Sequence, residues 1–397
     1  MQENTPTLFI EINKDEFSFS VGKNNEDDFF ELLHLETLHI NGIENNKITD
    51  FENLNITIKK ILYSIEQKLK FTFKELVLIL NNFNFYFINV SGFKNLNGSQ
   101  LIRENVTYII NSIKSNIDNF EKDKKIIHIF NSKFLLDKKN IENLPIGLFG
   151  DFYSHELSFA LINKNDYKNL HNIFSNCNLR IKKIVSKSFV EGVHLIDENK
   201  DLNSFIKIEI NENDSKIILF ENSSLKFVQE FEFGTRLIIN DICKVVSLKK
   251  ESIEKLISVS NLHSNLNEDE IVEKEYFENT NYRKIKKKLI YEIANARIQE
   301  IADIILIDNI NFNRFSKKKL PIFLKIKDDN NRKCFNESYK TCFSDDYLIV
   351  NFDLDVSPKE LIKSANKVVQ FGWSKEAVPI ITPKKSIIRR FLDILFT

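Results

Sequence analysis

The chain has 397 residues, enough for two to four compact units that each have a core. Lysine and arginine total 56, and aspartate and glutamate also total 56, so the formal net charge is zero. Bulk electrostatics therefore predict neither a nucleic-acid-binding protein nor a general membrane-binding protein.

The four cysteines, Cys177, Cys243, Cys334 and Cys342, are widely spaced and form no Cys-x-x-Cys pair, so a metal site is not predicted. Free thiols are typical of a reducing compartment. The first residues, MQENTPTLFIEIN, lack the basic region and apolar core of a signal peptide. No stretch approaches the roughly 18 uninterrupted apolar residues of a membrane span. A cytoplasmic location is expected.

The first eighty residues predict three strands, a helix and a fourth strand. The strands are expected at Leu8–Ile12, Glu16–Val21 and Leu35–Ile40, where apolar and polar residues alternate. Apolar residues recur at helical spacing over Leu54–Lys70, and Glu75–Leu80 is a short apolar run typical of a buried strand. This order of elements is that of half an α/β lobe.

Residues 81–162 predict a small α+β unit inserted into the first lobe. Its expected elements are a strand at 85–92, a helix near 103–120, a strand at 125–130, a turn-rich segment at 143–150 and a strand at 155–162. A helix at 164–176 and a strand at 182–185 then return to the first lobe.

A β-hairpin is predicted at 205–224, FIKIEINENDSKIILFENSS, where two apolar runs flank a polar tip. The tetrapeptide Ile-Glu-Ile-Asn stands at 208–211 and also at 10–13, each time before an acidic turn and a second strand. Two hairpins in matching context, about two hundred residues apart, indicate a duplicated α/β lobe.

The remainder of the second lobe continues from this hairpin. The expected elements are a third strand at 225–233, a helix opened by Gly234 and Thr235, helices at 249–260 and 283–306 around a polar loop, strands at 321–326 and 347–352, and a helix from Ser357 to Val369 with Ser357 as N-cap. Residues 371–383 predict a linker, and a last helix is expected at 384–397.

The last helix has the clearest functional pattern of the chain. At about 100° per residue, its apolar residues occupy one half of the helical wheel and basic residues flank them. The predicted membrane-binding residues are Lys384, Lys385, Ile387, Ile388, Arg389, Arg390, Phe391, Leu392, Ile394, Leu395 and Phe396. This pattern is typical of a helix lying in a membrane interface, where one copy binds weakly and several copies bind firmly. The alternative is a terminal helix docked on the protein's own core or on a partner.

Three segments carry a resemblance to a known family. They are residues 142–150, ENLPIGLFG; residues 233–242, from Phe-Gly-Thr to Asn-Asp-Ile; and residues 288–301. In this order they resemble the Asn-Pro-x-Gly-x-x-Gly segment, the Gly-x-x-x-Thr-x-Asp-Ile stretch and the Ile-x-Pro-Arg-x-x-Glu helix of FtsA, the actin-like membrane anchor of the bacterial division ring. The resemblance is collinear over nearly the whole chain.

The resemblance implies an actin-like (actin/Hsp70/sugar-kinase) two-lobed α/β fold with a small subdomain inserted in the first lobe. The implied division is 1–82, 163–203 and 353–370 for the first lobe; 83–162 for the inserted, self-associating subdomain; 204–227 and 304–352 for the second lobe; 228–303 for a smaller subdomain that binds FtsZ; 371–383 for a linker; and 384–397 for the membrane helix.

The family binds ATP with Mg²⁺, and the resemblance implies that cofactor with Gly234 as a candidate binding residue. In the superfamily, a glycine-rich hairpin turn in each lobe holds phosphate through backbone N–H groups. Here Glu11-Ile12-Asn13 replaces the first Asp-Ile-Gly, and residues 209–214, EINEND, replace the second glycine-rich turn. The glycine-free turns therefore predict against ATP binding and against an enzyme.

The implied partners are FtsZ, further copies of the chain in a head-to-tail oligomer, an anionic membrane surface and later division proteins, with no nucleic acid. Arg297 and Glu300 are the candidate FtsZ-binding residues, because an arginine suits an acidic peptide through bidentate pairing. Alternatively, both are solvated charges, with Arg297 paired to Glu292 or Glu300. The implied location is the inner face of the cytoplasmic membrane at the division site.

Two other functions in the same superfamily remain open at this point. PilM, the actin-like assembly protein of type IV pili, would need a groove for a partner peptide and no amphipathic tail. A sugar or acetate kinase would need glycine in the phosphate turns and a carboxylate base, for which Glu11 or Glu209 would be available.

The tail is tested by reversing its basic and apolar character together. We expect Arg389→Glu with Phe391→Glu to move the protein from the membrane to the soluble fraction, because lipid attraction and buried apolar area are both lost. Fractionation of cells measures this, with Arg389→Lys and Phe391→Leu as the conservative control. Membrane association that survives the reversal would rule out the tail as the anchor.

Overall fold

The computed structural model describes residues 5–14, 16–25, 29–44, 47–81, 83–260, 262–267, 269–277, 281–315, 320–344, 350–352 and 356–377. The strands are β1 (Thr7–Asn13), β2 (Glu16–Asn24), β3 (Phe30–His39), β4 (Ile43–Glu44), β5 (Lys47–Ile48), β6 (Glu75–Asn81), β7 (Tyr86–Asn95), β8 (Lys124–Leu136), β9 (Lys139–Ile141), β10 (Phe152–Asn163), β11 (Arg180–Ser186), β12 (Phe205–Ile210), β13 (Ser215–Glu221), β14 (Ser224–Phe231), β15 (Ile322–Ile326) and β16 (Val350–Phe352). The helices are α1 (Phe51–Leu69), α2 (Arg103–Phe120), α3 (Lys164–Asn176), α4 (Lys187–Glu198), α5 (Arg236–Val246), α6 (Lys250–Val259), α7 (Lys287–Ala302), α8 (Asp329–Cys334), α9 (Asn336–Phe343) and α10 (Pro358–Gln370).

Two five-stranded sheets of the same topology form the two lobes. The first has the order β3-β2-β1-β6-β11 and the second has the order β14-β13-β12-β15-β16. In each sheet, the two strands of the hairpin are antiparallel, and a third strand pairs antiparallel with the second. A fourth strand pairs parallel with the first strand, and a fifth pairs parallel with the fourth. The predicted duplicated, two-lobed fold is confirmed by this repeated order.

The first sheet is covered on both faces, which explains its nearly continuous apolar strands. Leu8, Ile10 and Ile12 of β1 share one core with α1 and α3. Phe9, between them in sequence, faces the opposite side and packs in a core with α4 and α10. Alternate residues of one strand thus contact different helices.

The inserted unit is a four-stranded antiparallel sheet, β7-β10-β8-β9, with α2 packed on it. It lies between β6 and α3 of the first lobe in sequence, as predicted. Its strands β7, β8 and β10 also contact β14 of the second lobe. The inserted unit therefore contacts both lobes.

Most of the predicted helices and strands are present, although their first and last residues differ from the prediction. Three further helices, α4, α8 and α9, were not predicted from the sequence. Helix α4 follows β11 without a loop, so no turn residues mark its start. Helices α8 and α9 are short and rich in polar residues, although Asp328 caps α8 by accepting from the Asn331 N–H at 3.0 Å. Short polar helices have a weak apolar periodicity, and whether they form depends on tertiary packing.

The C-terminal part of the described chain is docked on the body. Ser357 caps α10 through a capping box with Glu360, as predicted. The predicted linker, 371–383, is described as far as residue 377, and residues 373–377 pack against β8. The predicted helix at 384–397 lies outside the described residues. Within the described residues, no helix is long and apolar enough to cross a membrane.

Candidate functional site

A cleft of about 720 Å³ lies between the lobes, where the tips of the two hairpins meet. Lys14, in the turn between β1 and β2, contacts Asp214, in the turn between β12 and β13, with 3.0 Å between Nζ and Oδ2. Deeper in the cleft, Lys216 Nζ donates to Asn81 Oδ1 at 3.2 Å, which joins β13 to β6. The two lobes are therefore joined directly at the place where the fold brings both turns together.

The second turn is closed by its own hydrogen bonds. The backbone N–H of Asn211 donates to the Asp214 carbonyl at 2.8 Å, and the Asn211 side chain donates to the Asp214 carboxylate. The carbonyl oxygens of Asn211 and Glu212 accept from the N–H groups of Thr235 and Arg236, each at 3.0 Å. The N–H groups at the start of α5 are therefore bonded to the turn itself.

Gly234 lies beside this turn, and close packing accounts for its glycine. A Cβ atom at this position would stand 2.1 Å from the Asn211 carbonyl oxygen and 2.7 Å from that of Glu212. Any side chain would force the turn away from α5. The predicted role of Gly234 in cofactor binding stays a prediction, and the contacts in the structure are those of a packing residue.

The floor of the cleft is a buried network of ion pairs. Lys207, which is 1% exposed in the middle of β12, contacts Glu191 of α4 at 2.8 Å and Glu209 of its own strand at 3.0 Å. Since α4 packs on the first sheet and β12 belongs to the second, the Lys207–Glu191 pair joins the lobes. Nearby, Lys187 contacts Glu11 at 2.7 Å. Both carboxylates that stand at the family's acidic positions, Glu11 and Glu209, are thus neutralised by lysines.

The pKa shifts agree with this picture. Burial raises the pKa of Glu209, but the ammonium groups of Lys207, Lys216 and Lys325 outweigh burial and hold it well below its usual range. Burial lowers the pKa of Lys187, but the carboxylates of Glu11, Glu191 and Glu209 outweigh burial and raise it. Both shifts favour the charged forms of Glu209 and Lys187.

Further lysines from the second lobe line the cleft. Lys250, at the start of α6, lies 3.8 Å from Glu212 and 3.2 Å from Glu254. Lys325 of β15 and Lys327, directly after that strand, also line the cleft.

These residues do not fit a phosphate-binding nest. Such a nest needs free N–H groups and glycines that allow phosphate to approach the backbone. Here the N–H groups of Thr235 and Arg236 are occupied by carbonyl oxygens, and Lys14 and Asp214 close the gap between the turns. The Glu212 and Asp214 carboxylates would also repel phosphate. Within the described ranges, no group of three or more His, Cys, Asp and Glu side chains could hold a metal ion.

The predicted partner-binding residues lie on a second surface, formed by α5 and α7. The Arg297 side chain on α7 donates to Asp241 on α5 and to Glu300 one turn further along α7. The predicted pairing of Arg297 with Glu300 is present, and Glu292 is replaced as a partner by Asp241. The exposed side chains around this cluster include Leu237 and Val245. The predicted membrane-binding residues of the tail lie outside the described residues.

Comparison with known proteins supports the resemblance to FtsA. No family model matches the chain. The FtsA cell-division protein of Buchnera aphidicola subsp. Baizongia pistaciae (strain Bp) is 21% identical over 300 residues, covering 75% of this chain and 70% of that protein. FtsA of Buchnera aphidicola subsp. Acyrthosiphon pisum (strain APS) is 17% identical over 247 residues, covering 62% of this chain and 59% of that protein. The predicted resemblance is confirmed by these relatives.

A solved structure confirms the fold. A chain of the PilM–PilN complex of type IV pilus biogenesis has a similar structure, with a TM-score of 0.54 and 10% sequence identity. The match covers 94% of this chain and 98% of that chain. At that identity the match concerns the fold alone. The chain therefore has an actin-like fold, and its sequence relatives are cell-division proteins.

The sequence reading did not identify the lysines of the cleft. One signal was available: Lys207 stands in the apolar run Phe205–Ile210, where a lysine on a buried strand needs a carboxylate partner. Its partner Glu191 could not be found that way, because it comes from a helix that was not predicted.

The buried network makes a stability prediction. Lys207→Met leaves Glu191 and Glu209 buried without their ammonium, so the free energy of unfolding should fall by about 3–5 kcal/mol. Adding Glu191→Leu should restore a large part of that loss. Chemical denaturation followed by circular dichroism measures both. Lys114→Met is the control, because the Lys114–Asp118 pair is exposed and should contribute less than about 1 kcal/mol.

The same network sets the direction of the pH dependence. Because the pKa of Glu209 is lowered on folding, its contribution to stability is fully present above the unfolded-state value of about 4.3. The contribution is lost as the pH falls further, through the folded-state pKa. The acid-induced loss should be smaller in Lys207→Met, and an equal loss in both proteins would contradict this assignment.

Proposed function

We propose a function for this chain on the premise that it is an actin-like protein related in sequence to FtsA. It is a non-catalytic cell-division adaptor that tethers FtsZ filaments to the inner face of the cytoplasmic membrane and self-associates there. The observation that carries the proposal is the sequence relationship to two FtsA proteins, over 300 and 247 residues. The amphipathic pattern of residues 384–397 supports membrane attachment.

The surface of α5 and α7 is the proposed FtsZ-binding site. It combines a guanidinium, Arg297, with exposed apolar side chains, of which Leu237 is 36% and Val245 is 58% exposed. An acidic peptide would take the place of Glu300, which is 53% exposed and holds Arg297 from the solvent side. Bidentate pairing with Arg297 and apolar contact with α5 would then hold the peptide.

The far end of the inserted unit is the proposed self-association surface. Its exposed apolar residues include Phe93 and Phe152, whose rings stack with centroids 5.7 Å apart, and Phe149, which is 69% exposed. Neighbouring apolar side chains at the end of a subdomain are typical of a protein contact. A head-to-tail contact of this kind would propagate into a filament and bring many tails to the membrane together.

The cleft supports a scaffold whose lobes are held by ion pairs rather than by nucleotide. The Lys14–Asp214 contact occupies the space between the two turns, and the Lys207–Glu191 pair crosses between the lobes below it. A kinase would need Glu11 or Glu209 as a free base, but both carboxylates contact lysines. Later division proteins remain proposed partners.

The actin-like assembly protein PilM is the second candidate, and the match of the fold to the PilM–PilN complex is consistent with it. This function would use a groove for a partner peptide in place of FtsZ. Binding of the chain to FtsZ separates the two candidates, and the experiment below measures it.

FtsZ binding is tested with the full chain and a labelled C-terminal peptide of the FtsZ from the same organism. By fluorescence anisotropy, Arg297→Glu should weaken binding about tenfold or more, because one charge-assisted contact is lost. Glu300→Gln should leave binding unchanged or strengthen it, since it releases Arg297. Arg103→Glu, an exposed reversal on α2, is the control. Full affinity in Arg297→Glu would remove this surface from the proposal.

Nucleotide binding is tested by calorimetry with Mg²⁺ and millimolar ATP on the purified chain. We expect no saturable heat and no thermal shift, because the N–H groups of Thr235 and Arg236 beside the second turn are bonded to its carbonyl oxygens. A second titration with ATP uses the double variant Lys14→Ala with Asp214→Ala, which lacks the contact that closes the gap between the turns. Micromolar binding by the unmodified chain would show that side chains have replaced the glycine nest and that assembly can be gated by nucleotide.

A further inference from the structure

The C-terminal segment 373–377, here called the strap, lies antiparallel to β8. Asn131 N–H donates to the Lys375 carbonyl at 2.6 Å, and Ala377 N–H donates to the Ile129 carbonyl at 2.7 Å. The pairing of Phe130 with Glu376 is antiparallel, so the chain reaches Ala377 while running toward the Lys124 end of β8. The described chain therefore ends at Ala377, on β8, with the strap pointing toward the Lys124 end of that strand.

Side chains fix the strap to three parts of the molecule. Glu376 contacts His128 of β8 at 2.8 Å and Lys183 of β11 at 2.7 Å, and its side chain is 9% exposed. Trp373 Nε1 donates to the Ser223 carbonyl, in the turn between β13 and β14, at 2.7 Å. Burial raises the pKa of Glu376, but His128 and Lys183 outweigh burial and lower it to about 2. The Glu376 carboxylate is therefore ionised at neutral pH.

The surface that the chain approaches is the lysine end, defined as Phe120, Lys122, Lys124, Lys125, Lys164 and Lys168. It lies where β8 begins and where β10 passes into α3. Lys164 N–H donates to the Asp123 carbonyl at 2.7 Å, and Lys164 Nζ donates to the Lys122 carbonyl at 3.4 Å. Lys168 stands one turn further along α3 and is exposed. Five ammonium groups are thus gathered at one end of the inserted sheet.

Phe120 adds an exposed apolar side chain to this basic surface. Its side chain is 87% exposed at the end of α2, and no other large apolar side chain in the described ranges is as exposed. Tyr86, 42% exposed, belongs to the same region through Lys124, whose Nζ lies 4.1 Å from the Tyr86 ring centroid. Glu121 pairs with Lys124 at 2.8 Å, and Asp118 near the end of α2 pairs with Lys114. Lysines around exposed aromatic residues are typical of a membrane interface.

Chain length connects this surface with the tail. Ile129, beside Ala377, is five residues from Lys124, or roughly 17 Å along β8. The seven residue steps from Ala377 to Lys384 span at most about 25 Å. A tail helix that begins at Lys384 therefore starts within reach of the lysine end.

We propose that the lysine end is a second membrane contact, made by the body itself with anionic lipid headgroups. This inference rests on the proposed function, because it takes the tail to be the first contact. Because a helix that begins at Lys384 is within reach of the lysine end, the two contacts can meet the same bilayer and would give the body one orientation on it. Phe120 enters the headgroup region, and the lysines pair with lipid phosphates.

The contact is tested by flotation of the full chain with vesicles of phosphatidylglycerol and phosphatidylcholine, and with phosphatidylcholine alone. Phe120→Ser with Lys122→Glu and Lys125→Glu should lower the affinity for anionic vesicles about tenfold or more. The matched control is Phe29→Ser with Lys359→Glu and Lys363→Glu. These residues are exposed, and the α10 lysines lie on the other face of the first sheet from α3. Circular dichroism verifies that both variants are folded.

A direct measurement of contact uses tryptophan fluorescence and lipids with brominated acyl chains. Phe120→Trp should be quenched by the brominated vesicles, and Phe29→Trp should not, both against the same background from Trp373. No quenching at position 120, or unchanged vesicle affinity in the triple variant, would overturn the proposal. These are also the results expected if the lysine end binds a protein instead of a membrane.

The tail variant, Arg389→Glu with Phe391→Glu, separates this inference from the proposed function. If that variant loses vesicle binding while the lysine-end variant keeps it, the tether stands and the second contact is wrong. If only the lysine-end variant loses binding, the body contact stands and the tail is not the anchor. A full chain that does not float with anionic vesicles at all overturns both.

Discussion

A buried lysine joins the two lobes beside an apolar core to which both contribute, with Phe189 of α4 packed against Phe205 and Phe220 of the second sheet. Lys207 stands on the central strand of the second sheet and is held by Glu209 beside it and by Glu191 from a helix of the first lobe. A buried ammonium is stable only when carboxylates neutralise it, so the lobes must close in the one geometry that brings Glu191 into contact. The Lys14–Asp214 and Lys216–Asn81 contacts above it follow from that closure.

This constraint distinguishes the contacts in the cleft from those of a glycine-lined phosphate site. Bound nucleotide can join two lobes because both turns contact its phosphates. In this chain, side-chain ion pairs join the lobes, and the N–H groups beside Gly234 are bonded to the turn. Closure of the lobes should then depend on pH and salt, through charged groups, and an adaptor of this kind would be constantly competent for assembly.

The strap extends the same logic to the inserted unit. Glu376 joins β8 of that unit to β11 of the first lobe, and Trp373 reaches the second lobe. A tail that begins a few residues later is therefore attached to a body whose three parts are held together at the point of attachment. The proposed FtsZ surface of α5 and α7 lies on the smaller part of the second lobe.

The sequence by itself determined the two hairpins, the repeated lobe, the Ser357 cap and the absence of glycine from both turns, because alternation, capping and turn chemistry are local. It did not determine α4, α8 or α9, whose patterns are short or polar. Only the tertiary structure brought Lys207 to Glu191, Lys14 to Asp214 and Glu376 to His128, pairs separated by 16, 200 and 248 positions. Such pairs depend on how the lobes pack, and no local pattern records which distant carboxylate a lysine will meet.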